Sequence, residues 1–195
     1  MESLIQAIEI FALVTGIAYV VLEILQKNAM WVLGIFTSAA CAFSFSVQQV
    51  WASMGLNVYY LVVSVLGFIR WRKDSGKVAE GEIHLRKMSR GTLLWSGAAA
   101  IVGSVGLYFL LKASGDSAPA LDAAATILSV IATWWLTCSY IEQWLLFIVA
   151  DILTTLLCLT TGQYWMALLY LAYVGSAIYG YFHWKKRGKV VNLPA

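Results

Sequence analysis

Trp144, Phe147 and Asp151 stand at i, i+3 and i+7 inside the apolar run "WLLFIVADILTTLLCL" (144–159). That spacing puts all three side chains on one face of a helix. A carboxylate at bilayer depth costs roughly 2.5–3.5 kcal/mol on an insertion scale, so its presence there needs a chemical reason. No lysine or arginine falls in the middle of any apolar stretch, which leaves Asp151 without a basic partner at its own depth. An unpaired buried carboxylate either takes up a proton or awaits a ligand. A cationic or hydroxyl-bearing ligand held between aromatic faces would offset the cost through cation–π attraction and charge-assisted hydrogen bonds. The alternatives are a structural hydrogen bond for Asp151 and ordinary core or interfacial packing for the aromatic residues.

The elements that position these residues follow from composition. Of 195 residues, 61% are hydrophobic and 12% are charged, and the mean hydropathy is +0.78. A soluble domain carries about twice that charged fraction. The chain is therefore expected to be an all-α integral membrane protein, since continuous apolar runs without strand-like alternation favour helices over a barrel. A span needs about 20 mostly apolar residues. Seven stretches qualify, at 4–25, 30–50, 56–71, 91–112, 120–139, 143–161 and 163–184. The opening "MESLIQAIEIF" lacks a basic region and a small-residue cleavage site, so it reads as the start of a retained helix. Cys41, Cys138 and Cys158 all fall in apolar segments, and their odd number argues against a disulfide framework.

Seven spans give a one-sided charge distribution. Lys27, the loop 70–90 and the tail after 184 share one side and hold twelve of the thirteen basic residues; only Lys112 lies on the other. The positive-inside rule then places the N-terminus outside and the C-terminus in the cytoplasm. The basic loop is read as a topology determinant ahead of a lipid-binding patch.

Sliding the chain along itself by 113 positions aligns two long segments without a gap. "GFIRWRK" (67–73) falls on "GYFHWKK" (180–186), Trp31 on Trp144, Tyr60 on Tyr173, Trp51 on Tyr164 and Glu9 on Asp122. Two three-helix repeats are expected, 1–73 and 114–186, joined by a basic loop and linker helix over 74–113 and followed by a tail at 187–195. Three helices end on the side opposite their start, so the extra fourth span restores the direction and makes the repeats parallel. Parallel repeats are one transporter architecture, with substrate held near the midplane between the halves.

The offset also defines the wall facing the acidic one. Trp31, Gly34 and Ser38 on the second helix are the mates of Trp144, Phe147 and Asp151, giving a small, neutral face against a bulky, anionic one. Asn57, Tyr59 and Tyr60 open the third helix, and Tyr170 and Tyr173 line the seventh, where they can supply polar contacts. Glu9 and Asp122 suit helix N-termini. Glu23 and Glu142 are expected at the membrane interface, and Gln48 and Gln49 in solvent. No HExxH, GxSxG or Walker A sequence is present, and neither His84 nor His183 has a second ligand at metal spacing. No catalytic centre, metal, cofactor or nucleic-acid partner is expected; a non-transporting scaffold or a membrane enzyme is the competing class.

The residues in "MGLNVYYLVVSVLGFIRW" (54–71), "YIEQWLLFIVADIL" (140–153) and "GQYWMALLYLAYVGSAIYGYFHWKK" (162–186) resemble the PnuC-type bacterial vitamin transporters over nearly the whole chain. The resemblance implies a 3+1+3 arrangement like that of the SWEET proteins, a homotrimer in the bacterial cytoplasmic membrane, and facilitated diffusion with trapping by a cytosolic kinase. It also implies a substrate motif of the form WxxWxxx followed by Asn or Asp. That motif falls on Trp144, Phe147 and Asp151, with phenylalanine in place of the second tryptophan, and Asn57 stands where a glutamine is common. The implied substrate is a vitamin, with nicotinamide riboside ranked first, thiamine close behind, and the neutral riboflavin less suited to Asp151.

Overall fold

Backbone polar groups inside a bilayer have to be satisfied within the segment that carries them, and helices do this. The computed structural model describes residues 16–47 and 51–191. Among these, helix α1 covers 16–24. It is followed by α2 (Ala29–Val47), α3 (Trp51–Ser75), α4 (Arg90–Ala113), α5 (Pro119–Thr137), α6 (Gln143–Thr160) and α7 (Tyr164–Arg187). Among the described residues, five segments are long and apolar enough to cross a membrane: Met54–Ser75, Arg90–Ala113, Pro119–Thr137, Gln143–Thr160 and Tyr164–Arg187. Ala29–Phe43 is a shorter apolar helix. Glu9, Gln48 and Gln49 lie outside the described residues.

The chain divides into two compact units, Met1–Gly76 and Lys77–Ala195. In the first, α2 packs on α3. The contact centres on Trp31 and Trp71, both fully buried, whose rings meet edge to face at 5.1 Å. In the second, α4 packs on α5, α5 on α6 and α6 on α7. There Trp144 and Trp184 meet in the same way, 5.4 Å apart at 90°. Each pair needs a helix that comes close without a side chain. A methyl group at Gly67 would lie 2.5 Å from the Trp31 ring, and one at Gly180 would lie 2.6 Å from Trp144. Both glycines, both tryptophan pairs and two left-handed turn residues, Gln26 (φ 51°) and Ser139 (φ 55°), recur 113 positions apart.

Local signals set the helix ends. The Ser89 hydroxyl accepts from the Thr92 N–H at 3.0 Å and caps α4. Pro119 opens α5, with Asp122 in the first turn holding the Thr126 hydroxyl at 3.1 Å. Helix α3 runs beyond the apolar stretch expected at 56–71 because Arg72 and Lys73 continue the helix while reaching outward along their methylene stems. Helix α4 carries no buried residue, and the Trp135 indole on α5 donates to Ser96 on it at 3.0 Å.

The all-helical expectation needs one addition, since two short strands lie outside the helices. Strand β1 (Ile83–Leu85) pairs in parallel with β2 (Gly188–Val190), in register Ile83 with Gly188 and Leu85 with Val190. The Arg86 N–H also donates to the Ser139 carbonyl at 3.2 Å. The α3–α4 connection, the α5–α6 turn and the segment after α7 therefore meet at one end of the second unit. Residues 188–190, expected as part of a simple tail, are held there by the ladder.

Adding a methyl at either close approach forces the tryptophan to move, at about 1–3 kcal/mol for overpacking. Gly67→Ala and Gly180→Ala should each lower the melting temperature of the detergent-purified protein. Gly175→Ala, where a methyl meets nothing within 4 Å, should leave it unchanged or slightly raised. Equal behaviour of all three variants would contradict the packing described.

Candidate functional site

Helices α6 and α7 bring the acidic face together. Asp151 is half-buried on α6, and its carboxylate has neither an ion pair nor a hydrogen bond among the described residues. Tyr173 on α7 lies within electrostatic reach of it. Tyr170, one turn earlier, meets Tyr173 edge to face at 5.8 Å. Phe147, one turn from Asp151 on the same face, is half-buried as well. The Thr155 hydroxyl donates to the Asp151 backbone carbonyl at 2.7 Å, so it occupies the main chain and leaves the carboxylate alone.

Trp144 is placed differently from its neighbours. It is 2% exposed, enclosed between Trp184 and the bare backbone at Gly180. Its indole N–H has no hydrogen-bond partner among the described residues. In this conformation its ring offers no open face, and Phe147, Asp151 and Tyr173 carry the accessible surface. The next residue back, Gln143, is fully buried with both amide atoms unpartnered among the described residues. Its mate 113 positions earlier, Met30, is also fully buried. A polar residue at a position that packs as core in the other unit was the signal available for it.

In the first unit, Trp31 is fully buried and its indole N–H likewise has no partner among the described residues. Ser38 is 8% exposed, and Asn57 and Tyr60 are half-buried on α3. Tyr59 and Tyr60 lie ring to ring at 5.5 Å. Gly34 faces Ser64: a methyl there would lie 2.7 Å from the Ser64 hydroxyl and 3.9 Å from the Tyr19 ring.

Glu23, expected near the membrane interface at the end of its span, lies on the last turn of α1 and is 5% exposed. The offset mate of Glu23 is Leu136, which is 1% exposed, so both units bury this position. Among the described residues, no group of three or more His, Cys, Asp or Glu side chains is arranged to hold a metal.

Comparison with known proteins follows the same direction. The family model described as nicotinamide mononucleotide transporter matches residues 6–186. The nicotinamide riboside transporter PnuC of Neisseria mucosa is 31% identical over 90% of this chain and 70% of its own length. The one from Haemophilus influenzae is 33% identical over 68% of this chain and 58% of its own. The riboflavin/roseoflavin transporter RibM of Streptomyces davaonensis is 23% identical over 86% of this chain and 80% of its own. A crystal structure of the vitamin B3 transporter PnuC matches with a TM-score of 0.67 and 28% identity, covering 90% of this chain and 79% of that one.

The two aromatic and acidic positions should separate in a stability measurement. Trp144→Ala removes a fully enclosed ring and should destabilise by about 3–5 kcal/mol. Asp151→Ala removes a carboxylate with no partner and should leave the empty protein no less stable. A large drop in the melting temperature of Asp151→Ala would mean that the carboxylate is structural.

Proposed function

The chain belongs to the nicotinamide mononucleotide transporter family, and on that footing we propose that it takes up nicotinamide riboside by facilitated diffusion across a bacterial cytoplasmic membrane. Cytosolic phosphorylation then traps the product. The observation that carries this reading is Asp151, a half-buried carboxylate on α6 with no basic partner among the described residues and with Tyr173 beside it. A pyridinium ring is a flat cation, and a carboxylate bordered by aromatic rings supplies both a counter-charge and π faces. The relatives named above are transporters, which favours a carrier over an enzyme or a scaffold.

Trp144, Phe147, Asp151, Tyr170 and Tyr173 are assigned to the substrate from the second unit, and Trp31, Ser38, Asn57 and Tyr60 from the first. Trp144 joins them when α7 moves aside and frees its ring. Thiamine, another cationic aromatic vitamin, is the second candidate, because Phe147 and Asn57 depart from the family pattern at two of these positions. The finer architecture proposed is seven spans in a 3+1+3 order, assembled as a homotrimer. The recurrence of the Trp–Gly contacts and of the left-handed turn residue at an offset of 113 supports the repeat. The charge distribution supports an outside N-terminus and a cytoplasmic C-terminus.

Calorimetry on the purified protein with nicotinamide riboside, thiamine and riboflavin tests the substrate. Nicotinamide riboside should bind most tightly, and Asp151→Ala should weaken it at least roughly tenfold by removing a contact worth about 1.5–3 kcal/mol. Preference for another vitamin, or unchanged binding by Asp151→Ala, would reject the assignment. Reporter fusions at both ends test the topology. Placing both termini on the same side would sink the seven-span arrangement.

A further inference from the structure

At three positions the interior of the first unit is polar where the matching positions of the second are apolar. Glu23, on the last turn of α1, is 5% exposed, and Ser64 on α3 is 5% exposed. Tyr19, one turn before Glu23, lies within electrostatic reach of both Glu23 and Tyr60. The bare backbone at Gly34 brings α2 against Ser64 and the Tyr19 ring. All three helices thus turn toward a carboxylate, two phenols and a hydroxyl.

Packing does not demand these groups. The mates of Tyr19, Glu23 and Ser64 at the 113 offset are Ala132, Leu136 and Ala177, which are 0%, 1% and 3% exposed. These three positions therefore fill with ordinary apolar side chains in the second unit, whereas Tyr60 is matched there by Tyr173. Burying a carboxylate in an apolar chain is costly where burying a leucine is favourable, and an ionisable residue there points to a functional site.

We propose that Glu23, Tyr19 and Tyr60 form a hydroxyl-recognising subsite in the first unit that takes the vicinal-diol part of the transported vitamin. An ionised carboxylate accepts from two adjacent hydroxyls at once, and a phenol both donates and accepts, which matches the donor and acceptor pattern of a diol. The names of the relatives point the same way. Nicotinamide riboside and riboflavin differ in their aromatic heads and share a hydroxylated five-carbon portion. The subsite rests on the carrier reading above and adds to it the group that reads the sugar.

The test is calorimetry on the full-length purified protein, using ligand pairs that differ in the hydroxylated portion. These are nicotinamide riboside against 1-methylnicotinamide, and riboflavin against lumiflavin. Glu23→Leu, which copies the residue at the matching position of the second unit, should weaken nicotinamide riboside at least tenfold. It should change 1-methylnicotinamide less than twofold and leave the melting temperature no lower. Tyr60→Phe should weaken nicotinamide riboside several-fold with the same selectivity. If Glu23→Leu does not fold, Glu23→Gln makes the same comparison. An equal loss for both members of a pair, or no loss for either, overturns the subsite. If wild-type protein binds riboflavin in place of nicotinamide riboside, the vitamin assignment fails, and the riboflavin–lumiflavin pair tests the subsite on the same variants. Binding by wild-type protein of none of the four, or equally of both members of each pair, overturns the subsite outright.

Discussion

Lipid is as apolar as leucine, so helices in a bilayer gain little by hiding hydrophobic surface from it. Close packing has to hold them, and here it takes one form twice: a tryptophan laid against a glycine, with a second tryptophan edge-on behind it. Gly67 admits Trp31 and Gly180 admits Trp144 at distances no side chain would allow. The large rings make many dispersion contacts, and the rest of each unit is arranged around that contact. On α6 and α7 it fixes the relative height of the two helices, which in turn brings Asp151 and Tyr173 together two turns away.

With the frame fixed by size and shape, charge and hydrogen-bonding capacity are free to differ between the units. The second unit carries Asp151 on α6 and has Ala132 and Leu136 at the positions of Tyr19 and Glu23. The first unit does the reverse, with Ser38 at the position of Asp151 and Glu23 where the second has Leu136. One scaffold thus presents two chemically unlike interiors.

Much of this was legible in the sequence, for definite reasons. Helix positions follow from apolar runs, and α4 to α7 fall within a few residues of their expected bounds because Ser89, Pro119 and the glycine-containing turns mark them. The offset of 113 pointed to Trp31, Trp144 and the two glycines, because their spacing is preserved in the residues themselves. The candidate site was legible in part. Tyr173 lies within electrostatic reach of Asp151, whereas the enclosure of Trp144 by Trp184 and Gly180 comes from helix packing that no local pattern encodes. The burial of Glu23 was not legible, because acidic residues near a span end are usually solvated. Comparison with Leu136 would have shown that its position is core. The β ladder left no signal: each strand has three residues, too few for a period, and its partners are more than a hundred residues apart.

That ladder also bears on the order in which the molecule is made. Strand β1 emerges from the ribosome before α4, and its partner β2 follows the last helix. Parallel pairing over such a separation is slow to form, because a long loop has to close before any hydrogen bond rewards it. Until then β1 has no strand to pair with. Only when α7 is in place does β2 reach it. The Leu85 carbonyl accepts from the Val191 N–H at 2.8 Å, so this part of the ladder closes only after the last helix has been made.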